Sequence, residues 1–218
     1  MEFFSGCFSG LIQNLIGHPF DTIKVLQQNN KSFMLKNPLN YYKGLQYPTM
    51  TIMLTSGINF DILNRINNKT NEYFISGMIS GLVTSPVHFL FDYFKIKTQM
   101  GINKYSFYDM IKTKGKITTL LREGNAMSIY YGSYYYLKNK KNYSSLYAGS
   151  LSGVFSWFFT YPFDIIKTRQ MTYNINFIQA IKLGNLYKGL TVCLLRAGLV
   201  NSCAFYSYEF MYNFLNNN

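Results

Sequence analysis

The chain repeats itself three times, and that repetition limits its architecture more than any single residue does. Gly6 and Gly10 recur as Gly77 and Gly81, then as Gly149 and Gly153. Asp21 and Lys24 recur as Asp92 and Lys95, then as Asp164 and Lys167. Lys43-Gly44 recurs as Lys114-Gly115 and Lys188-Gly189. The offsets are 71 and 72 residues for the first two sets, and 71 and 74 for the third. With glycine at roughly 7% of residues, four further glycines fall in register by chance with odds of about 10⁻⁵. The sequence therefore reads as three copies of one unit, at 1–70, 71–142 and 143–218.

Each unit contains two long stretches almost free of charge. Residues 3–20, 44–60, 73–91 and 142–163 carry no Lys, Arg, Asp or Glu. Residues 117–137 are interrupted only by Arg122 and Glu123, and residues 189–208 only by Arg196. Each stretch is about the length a helix needs to cross a ~30 Å hydrocarbon core. The mean hydropathy of −0.02 hides them, because asparagine, lysine and tyrosine dilute the average. The polar content of the stretches predicts a wet interior, with one apolar and one polar face on each helix. The fold expected is an all-α membrane protein of six transmembrane helices with pseudo-threefold symmetry. Residues 106–112 and 176–182 are predicted to form short amphipathic helices at the membrane surface.

Several other classes are excluded. Tyr and Phe together supply 39 residues, too many for a disordered chain. Three cysteines and two histidines make neither a disulfide framework nor a zinc site. No nucleophile–base pair or cofactor motif is visible, so neither an enzyme nor a cofactor is expected. The net charge of +12 would suit a soluble nucleic-acid binder, but its distribution points elsewhere. Fourteen Lys and Arg lie in the connections after stretches one, three and five, against five after stretches two and four. The positive-inside rule puts the richer connections on one inner side and both termini opposite. Met1-Glu2 runs directly into the first stretch, so no leader is expected.

Pro19-Phe-Asp21-Thr-Ile-Lys24 and Pro162-Phe-Asp164-Ile-Ile-Lys167 stand at the ends of stretches one and five. A proline within a helix removes a backbone hydrogen bond and kinks it, so Pro19 and Pro162 are read as kinks. Asp and Lys three residues apart share a helix face. Around a threefold axis, each Asp can then meet the Lys of the next copy, which gives a ring of three ion pairs suited to a gate.

The glycine pairs, Pro-Phe-Asp-x-x-Lys and the Lys-Gly before each even helix resemble the mitochondrial carrier family, across essentially the whole chain and in all three repeats. The resemblance implies a monomeric multi-pass transporter of the mitochondrial inner membrane that alternates between two gated states. Its matrix gate would be Asp21, Lys24, Asp92, Lys95, Asp164 and Lys167, braced by Gln28 and Gln99, with Met171 in the third brace position. Gly44, Gly115 and Gly189 would head helices whose free amides hold cardiolipin phosphates. Gly6, Gly10 and their counterparts would be close-packing glycines of the odd helices. Departures are equally specific. Leu90 stands where repeat two should have proline, and Pro86 lies one turn earlier. Leu26 replaces the second basic residue in repeat one. On the opposite side Lys138 and Glu209 remain of an outer gate, with Asp61 and Arg65 out of register, so that gate is expected to be weak. The repeats are also shorter than the family's, chiefly in the inner connections.

Charges at membrane depth are costly and usually functional. Arg122, Glu123 and Arg196 are three such charges, and the two arginines fall at one height, where Thr51 is the repeat-one counterpart. Two cations and one anion suit a small solute that joins a carboxylate or phosphate to an ammonium group. Within the family, Arg-Glu at this place resembles the amino-acid and carnitine subgroups. Nucleotide transport is the alternative, through two arginines and many tyrosines. A degenerate carrier that moves nothing is the second alternative.

Overall fold

The computed structural model describes residues 2–31, 37–70, 72–102, 106–197, 199–200 and 203. Among the described residues there is no strand. The long helices are α1 (Glu2–Gln28), α2 (Gln46–Thr70), α3 (Tyr73–Gln99), α5 (Lys116–Tyr135) and α6 (Ser145–Tyr173), with α4 (Phe107–Lys112) and α7 (Phe177–Lys182) as single short turns of helix. Residues 190–197 form a further helix, α8. The two short helices fall within the amphipathic stretches anticipated for them. Both start on reciprocal caps: Ser106 with Asp109, and Asn176 with Gln179.

The helices outrun the charge-free windows. α1, α3 and α6 continue past their Asp-x-x-Lys motifs to residues 28, 99 and 173. They can do so because those charges are paired inside the bundle and do not mark an end at its surface. Among the described residues one helix, α3, is long and apolar enough to cross a membrane by those two measures alone. Many of the helix hydroxyls are satisfied locally. Thr51, Thr55, Thr119, Thr160 and Thr168 each donate to the carbonyl four residues back, at 2.6–2.9 Å. Pro19, Pro86 and Pro162 all lie inside helices. Ser85 Oγ donates at 2.8 Å to Leu82 O, the carbonyl that Pro86 leaves without an N–H.

The packing inverts the usual soluble pattern. Thr22, Gln28, Glu123, Asp164 and Lys167 are buried, whereas Met53, Ile75, Val83, Phe155 and Phe159 are exposed. A polar interior and an apolar rim suit an environment of lipid. The largest apolar cluster lies toward the C-terminal ends of α1, α3 and α6, where Val25, Leu26, Tyr93, Ile96, Met100 and Met171 pack with Met110 of α4. That cluster fills the bundle on the side of the basic connections.

Helices α3 and α5 touch backbone to backbone. A Cβ on Gly77 would lie 2.5 Å from Met127 O, and one on Gly81 would overlap Glu123 O. The third-repeat counterparts differ from the close-packing expectation. Gly153 has nothing within 4 Å, and Gly149 meets only Tyr130 and Tyr134 at 4.0 Å. The surroundings of Gly6 and Gly10 lie outside the described residues.

Candidate functional site: a charged ring beneath a polar cavity

Three helices place an Asp and a Lys one turn apart at the same height. Lys95 Nζ lies 2.7 Å from Asp21 Oδ2, Lys167 Nζ 2.5 Å from Asp92 Oδ2, and Lys24 Nζ 2.8 Å from Asp164 Oδ2. The pairs join α1 to α3, α3 to α6 and α6 to α1, so they close a ring. All six side chains are largely buried.

The ring is tied to further charges. Arg196 of α8 lies with Nε 2.7 Å from Asp21 Oδ1, without hydrogen-bond alignment. Arg122 of α5 donates through Nη1 to both oxygens of Glu123, at 2.8 and 2.7 Å, and its Nε is 3.6 Å from Asp164 Oδ1. Glu123 Oε1 also accepts from Lys167 at 3.3 Å. Each ring pair therefore shares a group with the Arg122–Glu123–Arg196 set. Thr51, by contrast, spends its hydroxyl on Tyr47 O at 2.9 Å. All four residues nevertheless border one cavity of about 300 Å³. Five of its lining side chains are basic and four are acidic, a net charge of +1 among the described residues. Gly17 makes room for one arginine, since a Cβ there would lie 3.0 Å from Arg196 Nε.

Trp157 was not singled out by sequence reasoning. Its indole lies 4.3 Å from Lys24 Nζ and 4.9 Å from the Arg122 guanidinium carbon, so one aromatic side chain serves both the charged ring and the cavity. As the chain's one tryptophan, in a charge-free stretch, it could have been flagged.

The two glutamines differ. Gln28 Nε2 donates to Asp164 Oδ2 at 3.0 Å, directly on the ring. Gln99 departs from the brace expectation: its Nε2 donates to Thr22 Oγ1 at 3.0 Å and not to a ring carboxylate. Met171 is fully buried in the apolar cluster. A second set of cations also crosses between helices at their C-terminal ends. Arg169 Nε donates to Gln28 O at 3.2 Å and Lys97 Nζ to Thr172 O at 3.1 Å. Leu26 can supply no such tie from repeat one, and Lys31 Nζ supplies it instead, to Met100 O at 3.3 Å. Cations at helix C-termini meet carbonyls that lack intrahelical donors.

Gly44, Gly115 and Gly189 all have positive φ, at +84°, +113° and +88°, which favours glycine. The residue before the motif position, His18 or Tyr161, reaches the carbonyl of the adjoining lysine. His18 Nε2 is 3.0 Å from Lys43 O, and Tyr161 Oη donates to Lys188 O at 3.1 Å. At the other end of the bundle, Lys138 Nζ lies 3.4 Å from Tyr134 Oη, and Arg65 pairs with Asp61 within α2 at 2.8 Å. Tyr73 and Tyr135 stack there across α3 and α5, with centroids 3.7 Å apart. Glu209 lies outside the described residues.

Residues 138–218 match the family profile described as mitochondrial carrier protein. The mitochondrial carnitine/acylcarnitine carrier protein of Mus musculus is 26% identical over 280 positions, covering 97% of this chain and 93% of that protein. The mitochondrial arginine transporter of Arabidopsis thaliana is 23% identical, with coverages of 95% and 89%. The glutamate/glycine mitochondrial carrier of Schizosaccharomyces pombe is 27% identical, with coverages of 95% and 92%. An all-helical bundle with these relatives, and with a charged cavity inside an apolar rim, defines a solute carrier. The chain is similar to mitochondrial carriers over nearly its whole length and is shorter than they are: its 218 residues are spread over 280 aligned positions of the mouse relative, so internal stretches are missing.

Proposed function

We propose that the protein moves a small charged metabolite, amino-acid or carnitine-like, across the mitochondrial inner membrane by alternating access. The observation that carries this reading is the sharing of carboxylates between ring and cavity, Asp21 with Arg196 and Asp164 with Arg122. A solute that draws the arginines away changes the electrostatics of the gate itself. Pairing offsets the desolvation of buried charges without a large surplus, so the ring can open at modest cost. Moving such an equilibrium from 1:99 to 99:1 takes about 5.5 kcal/mol of differential binding.

In this reading the monomer spans the membrane with six helices in three repeats. The matching His18–Lys43 and Tyr161–Lys188 contacts support equivalent units. Arg122 and Arg196 take the solute's carboxylate, while Glu123 and the Trp157 face take its ammonium group. Thr51 borders the same space. The matrix gate is the three-pair ring, with Gln28 bracing it and Gln99 acting through Thr22. Gly44, Gly115 and Gly189 present helix-start amides to cardiolipin phosphate. Lys138 and Glu209 leave the outer gate thin, and the stacked tyrosines take up part of its role.

Uptake by reconstituted liposomes tests the proposal. Labelled carnitine, arginine, glutamate and glycine are offered in parallel with ATP and dNTPs. Uptake of a member of the first group above empty vesicles is expected. Uptake of nucleotides alone would favour the alternative that two arginines hold phosphates. That alternative has lost one support, because the cavity lining contains no tyrosine among the described residues. No uptake of any solute would leave a non-transporting anchor.

A further inference from the structure

His88 stands apart from the threefold pattern. The repeat offsets place it opposite Gly17 and Thr160. Gly17 makes space for Arg196, and Thr160 donates to Ser156 O at 2.6 Å within its own helix. Neither counterpart can ionise at neutral pH, so the architecture does not call for an imidazole here.

The surroundings of His88 are polar and charged. It lies on α3 one turn before Asp92 and borders the cavity. Nδ1 is 3.9 Å from Glu123 Oε1. Its ring, Asp92 and Glu123 bring their ligand atoms within 4.8 Å of one another. Nε2 is buried and has no hydrogen-bond partner among the described residues. The trio has the ligand types of a metal site, but Lys167 Nζ already sits against both carboxylates, at 2.5 Å from Asp92 and 3.3 Å from Glu123. A divalent cation would have to displace that ammonium. A proton on His88 needs no such displacement.

We propose that His88 is a proton-binding site of the transport cycle, and that an anionic solute moves together with one proton. The inference rests on the carrier reading above. The proton comes from water on the side where the solute enters, and returns to water on the side where it leaves. Imidazole is the side chain whose ordinary range spans neutral pH. Two carboxylates, Asp92 on the same helix and Glu123 on α5, attract a proton here. Lys167 of α6 and Arg122 of α5 repel it, as does the cavity's remaining cation, Arg196, which shares Asp21 with Lys95, while Asp164 pairs with Lys24. Protonation has two consequences. The cavity gains a second net positive charge, which draws in a carboxylate solute. His88 also competes with Lys167 for Asp92 and Glu123, which loosens one of the three ring pairs.

The test has two arms. The chain has only two histidines, His18 and His88, so ¹⁵N-histidine NMR of the full protein in lipid nanodiscs gives two pairs of ring signals, and H88Q assigns them. The His88 signal should change over the same pH interval in which uptake changes. In liposomes with an internal pH dye, glutamate, the anionic amino acid of the panel above, should acidify the lumen as it enters. Its uptake should rise about fivefold from about pH 8 to about pH 6, the scale of one added charge across a partly screened cavity. H88Q and H88N, each checked for unchanged thermal unfolding, should flatten that profile. A His88 signal that does not titrate, or a pH profile identical in the wild type and both variants, overturns the proposal. So does activity that follows added zinc and not pH. If no panel solute is carried at any pH, the carrier reading fails, while the NMR titration still decides whether His88 takes a proton.

Discussion

Arg196 and Asp21 meet at 2.7 Å, on the carboxylate oxygen that Lys95 leaves free. One aspartate therefore serves a ring lysine and a cavity arginine at once, with the arginine contact lacking hydrogen-bond alignment. A contact that is close but poorly directed can be exchanged for a better-aligned solute carboxylate with little loss.

Replacing Arg196 or Arg122 by Ala should abolish uptake while leaving insertion intact. Arg196→Lys should restore only part of it, because an ammonium lacks the planar fork that grips a carboxylate. Proteoliposome uptake, with membrane extraction as the insertion control, reads the result. Normal uptake by both alanine variants would remove the site.

Breaking a buried ion pair leaves an uncompensated charge, at a cost of about 3–5 kcal/mol. Asp21→Lys and Lys95→Asp should each lower thermal stability on that scale. The double exchange should recover only part of it, because the new lysine at position 21 would face Arg196. Full recovery in a thermal unfolding assay would show that Arg196 does not share this carboxylate.

Gly81→Ala should destabilise the protein by about 1–3 kcal/mol through overpacking against the α5 backbone at Glu123. Gly153→Ala, at the corresponding place in repeat three, should be tolerated, since nothing lies within 4 Å. Comparing the two unfolding temperatures checks the asymmetry; equal losses would contradict it.

Glu123→Gln removes the negative charge that faces Arg122 and Lys167 and leaves one acceptor oxygen in place of two. Uptake of an ammonium-bearing solute should fall more than uptake of a nucleotide under the same conditions. Competition between labelled solutes in one vesicle preparation reads the ratio, and a ratio unchanged by the substitution would remove Glu123 from solute recognition.

Much of the frame was legible before any coordinates. Repetition and charge-free windows predicted the long helices, and amphipathic stretches located Phe107–Lys112 and Phe177–Lys182. The Asp-x-x-Lys register put six charges at one height. Other features could not be read. Gly77 and Gly153 look alike in sequence, yet only the first is pressed against a neighbouring backbone. Leu26 marked a missing cation, but nothing local announced that Lys31, five residues on, would reach the end of α3 in its place. Gln99 kept the family position and turned to Thr22.

Helical periodicity assigns each side chain a height and a face from its position in the chain. The ring's membership and the polarity of the interior follow from that alone. The partner a side chain meets depends on how far neighbouring helices stand apart and which faces they turn inward, and these are set by packing over many residues at once. Only the assembled bundle could therefore decide that Arg196 rests on Asp21, that Trp157 spans Lys24 and Arg122, and that His88 faces two carboxylates.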